Sequence, residues 1–265
     1  MSSEYKVDYH IHSYYSDGTM SPVELVRKYH DEEYDIISIT DHDGIGGLTE
    51  ALTAGEALRI QVVTGVEFST EYEGHGIHLL GYGFDPDNEA LNVKLAELRE
   101  IRRERNIRLI DKLCEMGYEL SPEEVLAESP KGFVGKPVIA RAMVKKGYIF
   151  TVAEAFESDR IFESEEIKSI RRKKPCTDEI IHLISQAGGM AVMAHPGKIK
   201  GLGEKDTEEY RKNMDQLVRK LKKEGLKGIE CFHPSHSEKE AMDFVNLAAK
   251  YHLHITEGSD FHGDK

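Results

Sequence analysis

Seven short apolar runs that end in or carry imidazoles and carboxylates constrain this chain most. They are Lys6–His12, Ile36–Thr40, Gln61–Phe68, Gly76–Tyr82, Met190–Ala194, Gly228–Phe232 and Leu253–Thr256. The first alternates. Val7, Tyr9 and Ile11 fall on one face and Asp8, His10 and His12 on the other, the pattern of a strand with one polar face. Between runs the chain reads as helix. Ser21-Pro22-Val23-Glu24 supplies a Ser N-cap, a Pro at the first helical position and the Glu of a capping box. Glu208–Glu224 and Ser237–Tyr251 are helical in pattern. Strands alternating with helices predict a parallel α/β sheet, open or closed.

The middle of the chain has a different texture. Leu91, Leu95, Leu98, Ile101, Ile107, Ile110 and Leu113 keep helical spacing until Gly117, and Ser121-Pro122-Glu123-Glu124 repeats the capping signature. Residues 88–174 are therefore expected to form an all-helical insertion. Residues 1–87 and 175–265 then form one catalytic unit around it.

The polar ends of the runs carry the chemistry. His10, His12 and then Asp17 follow the first, Asp41-His42-Asp43 the second and Glu67 the third. His78 lies on the fourth, His195-Pro196 follows the fifth, Glu230 and His233 accompany the sixth, and Asp260-Phe261-His262 the seventh. In α/β barrels, residues at the carboxyl ends of strands read as catalytic. His10, His12, Asp17, His42, Glu67, His78, His195, Asp260 and His262 make a ligand set of imidazole and carboxylate without thiolate. That set suits Zn, Mn or Fe. At three or four protein ligands per open catalytic ion it suffices for two or three divalent ions with a carboxylate bridge, which chain order assigns to Glu67.

Composition narrows the class. The chain has 265 residues, 13 of them histidine, and a formal net charge of −13. The acidic balance argues against broad nucleic-acid coating, which wants a basic face. It leaves room for an anionic substrate, because bound cations reverse a local potential. Three scattered cysteines form no disulfide framework or zinc knuckle. The longest run without Asp, Glu, Lys or Arg, Ile180–Gly197, contains two His, two Gly and a Pro, so no membrane span is expected. No leader pattern opens the chain, and the expected compartment is the cytoplasm. No obligate protein partner is evident.

Asp8-Tyr9-His10-Ile11-His12-Ser13, Ser16-Asp17-Gly18, Thr40-Asp41-His42-Asp43, Gly65-Val66-Glu67, Ala194-His195-Pro196 and Gly258-Ser259-Asp260-Phe261-His262 resemble the motifs of the polymerase and histidinol phosphatase (PHP) superfamily of metal-dependent phosphoesterases. The resemblance covers most of the chain. It implies a distorted seven-stranded (β/α) barrel with a two- or three-metal centre. One ion is implied at His10, His12, Glu67 and Asp260, a second at Glu67, His78 and His195, and a third at Asp17, His42 and His262. The helical insertion is similar to the subgroup of nucleoside 3′,5′-bisphosphate phosphatases, 5′-nucleotidases and 5′→3′ exoribonucleases. Gly135-Lys136-Pro137-Val138-Ile139-Ala140-Arg141 looks like a family element that often carries His where this chain has Val138. Only three residues follow His262, where relatives usually continue; the expectation is either a missing last barrel helix or a sequence that is a fragment of a longer chain.

The expected reaction is hydrolysis of a phosphate monoester of a small nucleotide, a nucleoside 3′,5′-bisphosphate or monophosphate, by a hydroxide bridging the metals. The alternatives are trimming of short 5′-phosphorylated RNA and a non-catalytic metal-binding module. Asp41 and His233 are candidates to shuttle a proton or orient a ligand, and Lys136 and Arg141 to bind a substrate phosphate. Arg99, Arg102, Arg103, Arg105 and Arg108 crowd the insertion's long helix. They read first as a solvated face paired with Glu97, Glu100 and Glu104, and second as a groove for a remote phosphate. Lys198 is a further candidate near His195. His30, His75, His182, His236, His252 and His254 read as structural or surface residues.

Overall fold

The structure, a computed structural model, describes residues 5–157 and 160–263, so that 1–4, 158–159 and 264–265 lie outside the described residues. Seven strands form one sheet in chain order: β1 (Val7–Ile11), β2 (Ile36–Ile39), β3 (Gln61–Tyr72), β4 (His75–Tyr82), β5 (Met190–Met193), β6 (Gly228–Phe232) and β7 (His254–Glu257). The sheet curls into a nearly closed barrel. His12 N donates to Phe261 O and Asp260 N to His10 O, both at 2.8 Å, which joins the segment after β7 to β1. The expected α/β barrel is present.

One strand departs from the parallel expectation. β4 runs antiparallel to both β3 and β5. Only two residues separate it from β3, and a parallel crossover needs a dozen or more. Those two, Glu73 and Gly74, both have positive φ (50° and 83°), as a tight hairpin of matching twist requires. The reversal explains why His78 lies within its strand rather than after it. In β4 the amino-terminal half lies nearer the rim.

Helices α1 (Pro22–Asp31) and α2 (Leu48–Leu58) follow β1 and β2. α3 (Glu89–Glu115), α4 (Pro122–Leu126), α5 (Lys136–Lys145) and α6 (Glu165–Lys168) lie between β4 and β5, with α7 (Thr177–Gln186) leading into β5. α8 (Glu208–Lys223) and α9 (Glu238–Tyr251) flank β6. The capping boxes read at Ser21/Glu24 and Ser121/Glu124 are formed, and Ser237/Glu240 adds another. One apolar cluster packs α7, α8 and α9 on the barrel and includes Leu91, Leu95 and Leu98. Another draws only on residues from Leu109 to Ile167.

α3 corrects the sequence reading. Ile107 is exposed, and the buried stripe runs Leu91, Leu95, Leu98, Arg102, Arg105, Leu109 and Leu113. Arg102 and Arg105 therefore turn inward, not into a solvated face. Arg103 does keep the surface pairing with Glu100.

Gly258 sets how closely β7 approaches β1. A Cβ there would overlap the Cβ of His10 and lie 2.6 Å from Glu230 Oε1. Gly258→Ala is expected to destabilise the protein by about 1–3 kcal/mol, the usual cost of overpacking a closed core. Urea unfolding beside the wild type measures it, and an unchanged midpoint would refute the tight approach.

Candidate metal centre

All nine ligand candidates converge at the carboxyl-end rim of the barrel. Glu67, 1% exposed, lies at the middle. Its carboxylate is 2.8 Å from both His42 Nδ1 and His78 Nδ1, 3.1 Å from His195 Nε2, 3.4 Å from His12 Nε2 and 3.5 Å from His10 Nε2. Asp260 Oδ1 lies 3.2 Å from His12 Nε2 and 3.5 Å from His10 Nε2. Asp17 faces His262 Nε2 at 3.3 Å and His42 Nε2 at 3.8 Å. The ligand atoms form overlapping groups: His10, His12 and Glu67; His42, Glu67 and His78; and His12, Asp17, His42 and His262. His12 thus borders a second group as well as the one the resemblance implies.

Burial would by itself raise the Glu67 carboxyl. The imidazoles of His42, His78 and His10 outweigh it and hold Glu67 well below the usual carboxylate range. Burial pushes His12 and His78 down to about 4, the neutral form in which imidazole is a ligand.

Five buried atoms in this set make no well-aligned hydrogen bond, although His42 Nδ1 and Glu67 Oε2 lie 2.8 Å apart: His10 Nε2, His12 Nε2, His42 Nδ1, Asp17 Oδ1 and Glu67 Oε2. Buried polar atoms are otherwise paired in folded proteins. Orphaned nitrogen and oxygen lone pairs converging on one space are what borderline divalent ions take. The residues fit a metal centre.

Outer contacts aim the ligands. His10 Nδ1 lies 2.9 Å from Glu230 Oε1, so its hydrogen belongs there and Nε2 keeps its lone pair inward. Glu230 Oε2 also accepts from His195 N at 2.6 Å. His262 Nδ1 faces the Asp260 carbonyl at 2.7 Å, which frees its Nε2 toward Asp17. In the sequence Glu230 stands only as one of the metal-type residues carried by the sixth run, outside the set of nine ligands. Its role as a brace depends on two partners 220 and 35 residues away.

The other candidates occupy different places. Asp41 accepts from Ser13 N and from the hydroxyls of Ser13 and Ser16, so its carboxylate pins the loop between His12 and Asp17. His233 Nδ1 accepts from Ser235 N, which places its hydrogen on Nε2, 3.3 Å from Asp260 Oδ2. Lys198 Nζ is 2.7 Å from the same oxygen. Arg141 Nη1 donates to the Asp17 carbonyl at 3.1 Å and joins α5 to the ligand loop. Lys136 contacts Phe162 O and shares its surroundings with Arg105 and Lys200. Val138 is buried in the insertion's own apolar cluster.

Beside His42 lies a feature sequence reasoning weighed and set second. Asp43, fully buried, pairs with Arg102 and, at 3.1 Å, with Arg172, while Arg105 adds its charge next to both. All three guanidiniums are at least nine-tenths buried. Arg102 Nε, Arg105 Nε and Arg172 Nη1 have no partner. Burial, with Arg102 and Arg172 adding to it, pushes Arg105 down to about 9. The signal was the stripe itself, since 102 and 105 continue the spacing of 91, 95 and 98. Asp43→Asn is expected to cost about 3–5 kcal/mol, because it strands two buried cations. Denaturant unfolding checks it, and a loss below about 1 kcal/mol, the range of an exposed pair, would refute the pairing.

No described helix is long and apolar enough to cross a membrane. Comparison with known proteins gives a consistent picture. The PHP domain model matches residues 8–234. A 5′-3′ exoribonuclease of Haemophilus influenzae is 30% identical over 257 residues, 97% of this chain and 90% of that protein. A 3′,5′-nucleoside bisphosphate phosphatase of Chromobacterium violaceum is 29% identical over 258 residues, 97% of this chain and 87% of that protein. A solved structure from Bifidobacterium adolescentis, described as a candidate metal-dependent phosphoesterase, superposes with a TM-score of 0.85 at 29% identity, over 98% of this chain and 88% of that one. With the family model spanning most of its length and the ligand cluster at its rim, the chain belongs to the PHP domain family of metal-dependent phosphoesterases.

Proposed function

We propose that the protein hydrolyses a phosphate monoester of a small nucleotide that carries a second phosphate, a nucleoside 3′,5′-bisphosphate. The observation that carries this reading is the buried arginine trio next to His42, three cations against the single carboxylate Asp43. Arginine does not shed its proton near neutral pH. A buried excess of guanidinium is relieved by an anion, and phosphate is the anion that a forked donor matches best. A trio so close to the ligand cluster suits a substrate with one phosphate at each place.

His10, His12, Glu67 and Asp260 would hold one ion, Glu67, His78 and His195 a second, and Asp17, His42 and His262 a third. Such ions supply an activated water at neutral pH and neutralise charge at the phosphoryl group. The chain's own residues do the rest. Glu230 and the Asp260 carbonyl fix the tautomers of His10 and His262. Asp41 holds the Asp17 loop and acts as a positioning residue. His233 Nε2–H and Lys198 Nζ stand at Asp260, where they can donate to a phosphate oxygen. Lys136 and Arg141 complete the cationic side, Arg141 through its tie to the ligand loop.

The test is phosphate release with Mn²⁺ from adenosine 3′,5′-bisphosphate, AMP and a 5′-phosphorylated trinucleotide. The bisphosphate is expected to lead AMP in kcat/KM by about 10- to 100-fold, the worth of a charged hydrogen bond or two. A second reading is favoured by the similarity to the Haemophilus influenzae exoribonuclease. Mononucleotides released from the trinucleotide faster than phosphate from the bisphosphate would establish that reading and overturn the first.

A further inference from the structure

α3, α4 and the loop around 131–134 enclose a cavity of about 530 Å³ against the barrel rim. The volume falls within the range of small-molecule sites, about 300–1,000 Å³. Ile107, Ile110, Val125 and Leu126 make one wall, and Tyr15 and Phe133 contribute rings. Ile107 and Leu126, both in that wall, are exposed.

Two observations tie this cavity to the reaction. His42 lines it, and the Phe133 ring stacks beside the His42 ring at 6.5 Å with 20° between planes. Arg102 also lines it, with its guanidinium 4.7 Å over the Phe133 ring. The cavity therefore borders both the ligand cluster and the arginine trio.

A third observation points to the chemistry of an occupant. Asn106 lines the cavity and is only 4% exposed. Its Nδ2 donates to Val134 O, yet its Oδ1 has no partner. The Val134 carbonyl settles the orientation of the amide, because the flipped form would set two oxygens against each other. A buried, unpaired amide oxygen calls for a hydrogen-bond donor, an N–H or an O–H, from outside the chain.

We propose that this cavity seats the nucleobase of the substrate. A planar heterocycle lies against Phe133 and the aliphatic wall, and an exocyclic amine or ring N–H donates to Asn106 Oδ1. The inference rests on the nucleotide reading of the metal centre and adds to it the place where the base is held.

The test uses the full chain loaded with Mn²⁺ and two readouts. The first is photolabelling with 8-azidoadenosine, which carries no phosphate, followed by peptide mapping. Label is expected on the segments that carry Tyr15, Asn106 or Phe133, and adenosine should compete for it. The second is Ile107→Trp, which fills the cavity from an exposed position. Its preference for adenosine 3′,5′-bisphosphate over p-nitrophenyl phosphate, as a ratio of kcat/KM, is expected to fall about tenfold, the lower end of what base stacking contributes. If the wild type hydrolyses the bisphosphate but the label maps elsewhere, or the ratio does not move, the base site is overturned and the reaction stands. Label within the cavity without nucleotide hydrolysis supports the base site and overturns the reaction.

Discussion

Glu67→Gln is expected to abolish phosphoester turnover, with a loss of at least about a thousandfold. Outer-sphere changes at metal sites typically cost about 10- to 100-fold, and Glu67 stands at the centre of the cluster rather than outside it. Its carboxylate reaches five imidazoles. Gln keeps the shape and removes the negative charge. It also replaces one acceptor oxygen by an amide NH2, whose hydrogens donate to His lone pairs that a metal ion would otherwise take. Bound metal, measured by inductively coupled plasma mass spectrometry after desalting, should fall with the rate. Full metal content with wild-type turnover would refute Glu67 as the shared ligand. Loss of turnover at full metal content would mark it as a group acting on the reaction alone.

Arg105→Met is expected to act in two opposite directions. KM for a nucleoside bisphosphate should rise about 10- to 100-fold, because a buried cation without a protein partner is lost from the phosphate's surroundings. The unliganded protein should become more stable by about 1–2 kcal/mol. Burial and two neighbouring guanidiniums push Arg105 down to about 9, so its charged form is held at a cost in the folded state. A methionine of similar length removes that cost, as apolar replacements of buried charges often do. Sulfate added to metal-free protein should raise the wild-type Tm more than that of the variant, since ligand binding stabilises the folded state by mass action. A variant that loses stability, with an unchanged KM, would show that Arg105 is paired and structural and would remove the main support for a second phosphate.

The two variants probe parts of the site that differ in how they could be read. The ligand set is legible because strand geometry is local. His10 and His12 share a face by the two-residue repeat, and short apolar runs announce where each strand ends. The order of those runs gives an α/β sheet, open or closed, and the family resemblance implies its closure into a barrel; the structure's strand limits fall within a residue or two of the expected ones, except that β3 continues to Tyr72. The ridge of α3 was misread for a different reason. Arginine is a solvated residue in most helices, so charge identity and spacing point opposite ways at 102 and 105, and Ile107 has the spacing of a stripe it does not join.

Sequence alone determined where the seven strands lie, the helix starts at Ser21 and Ser121, the candidate ligands and the chemistry their donor atoms allow. Each depends on residues within one or two turns or on the short repeat of a strand. Only the tertiary structure decided that Asp43 meets Arg102 and Arg172, that Glu230 braces His10, and that Asn106 is left with an unpaired oxygen in a cavity that His42 also lines. These contacts join segments 59 to 220 residues apart. Which face of α3 docks on the rim depends on how the insertion packs against the barrel, and no local period in the chain carries that information.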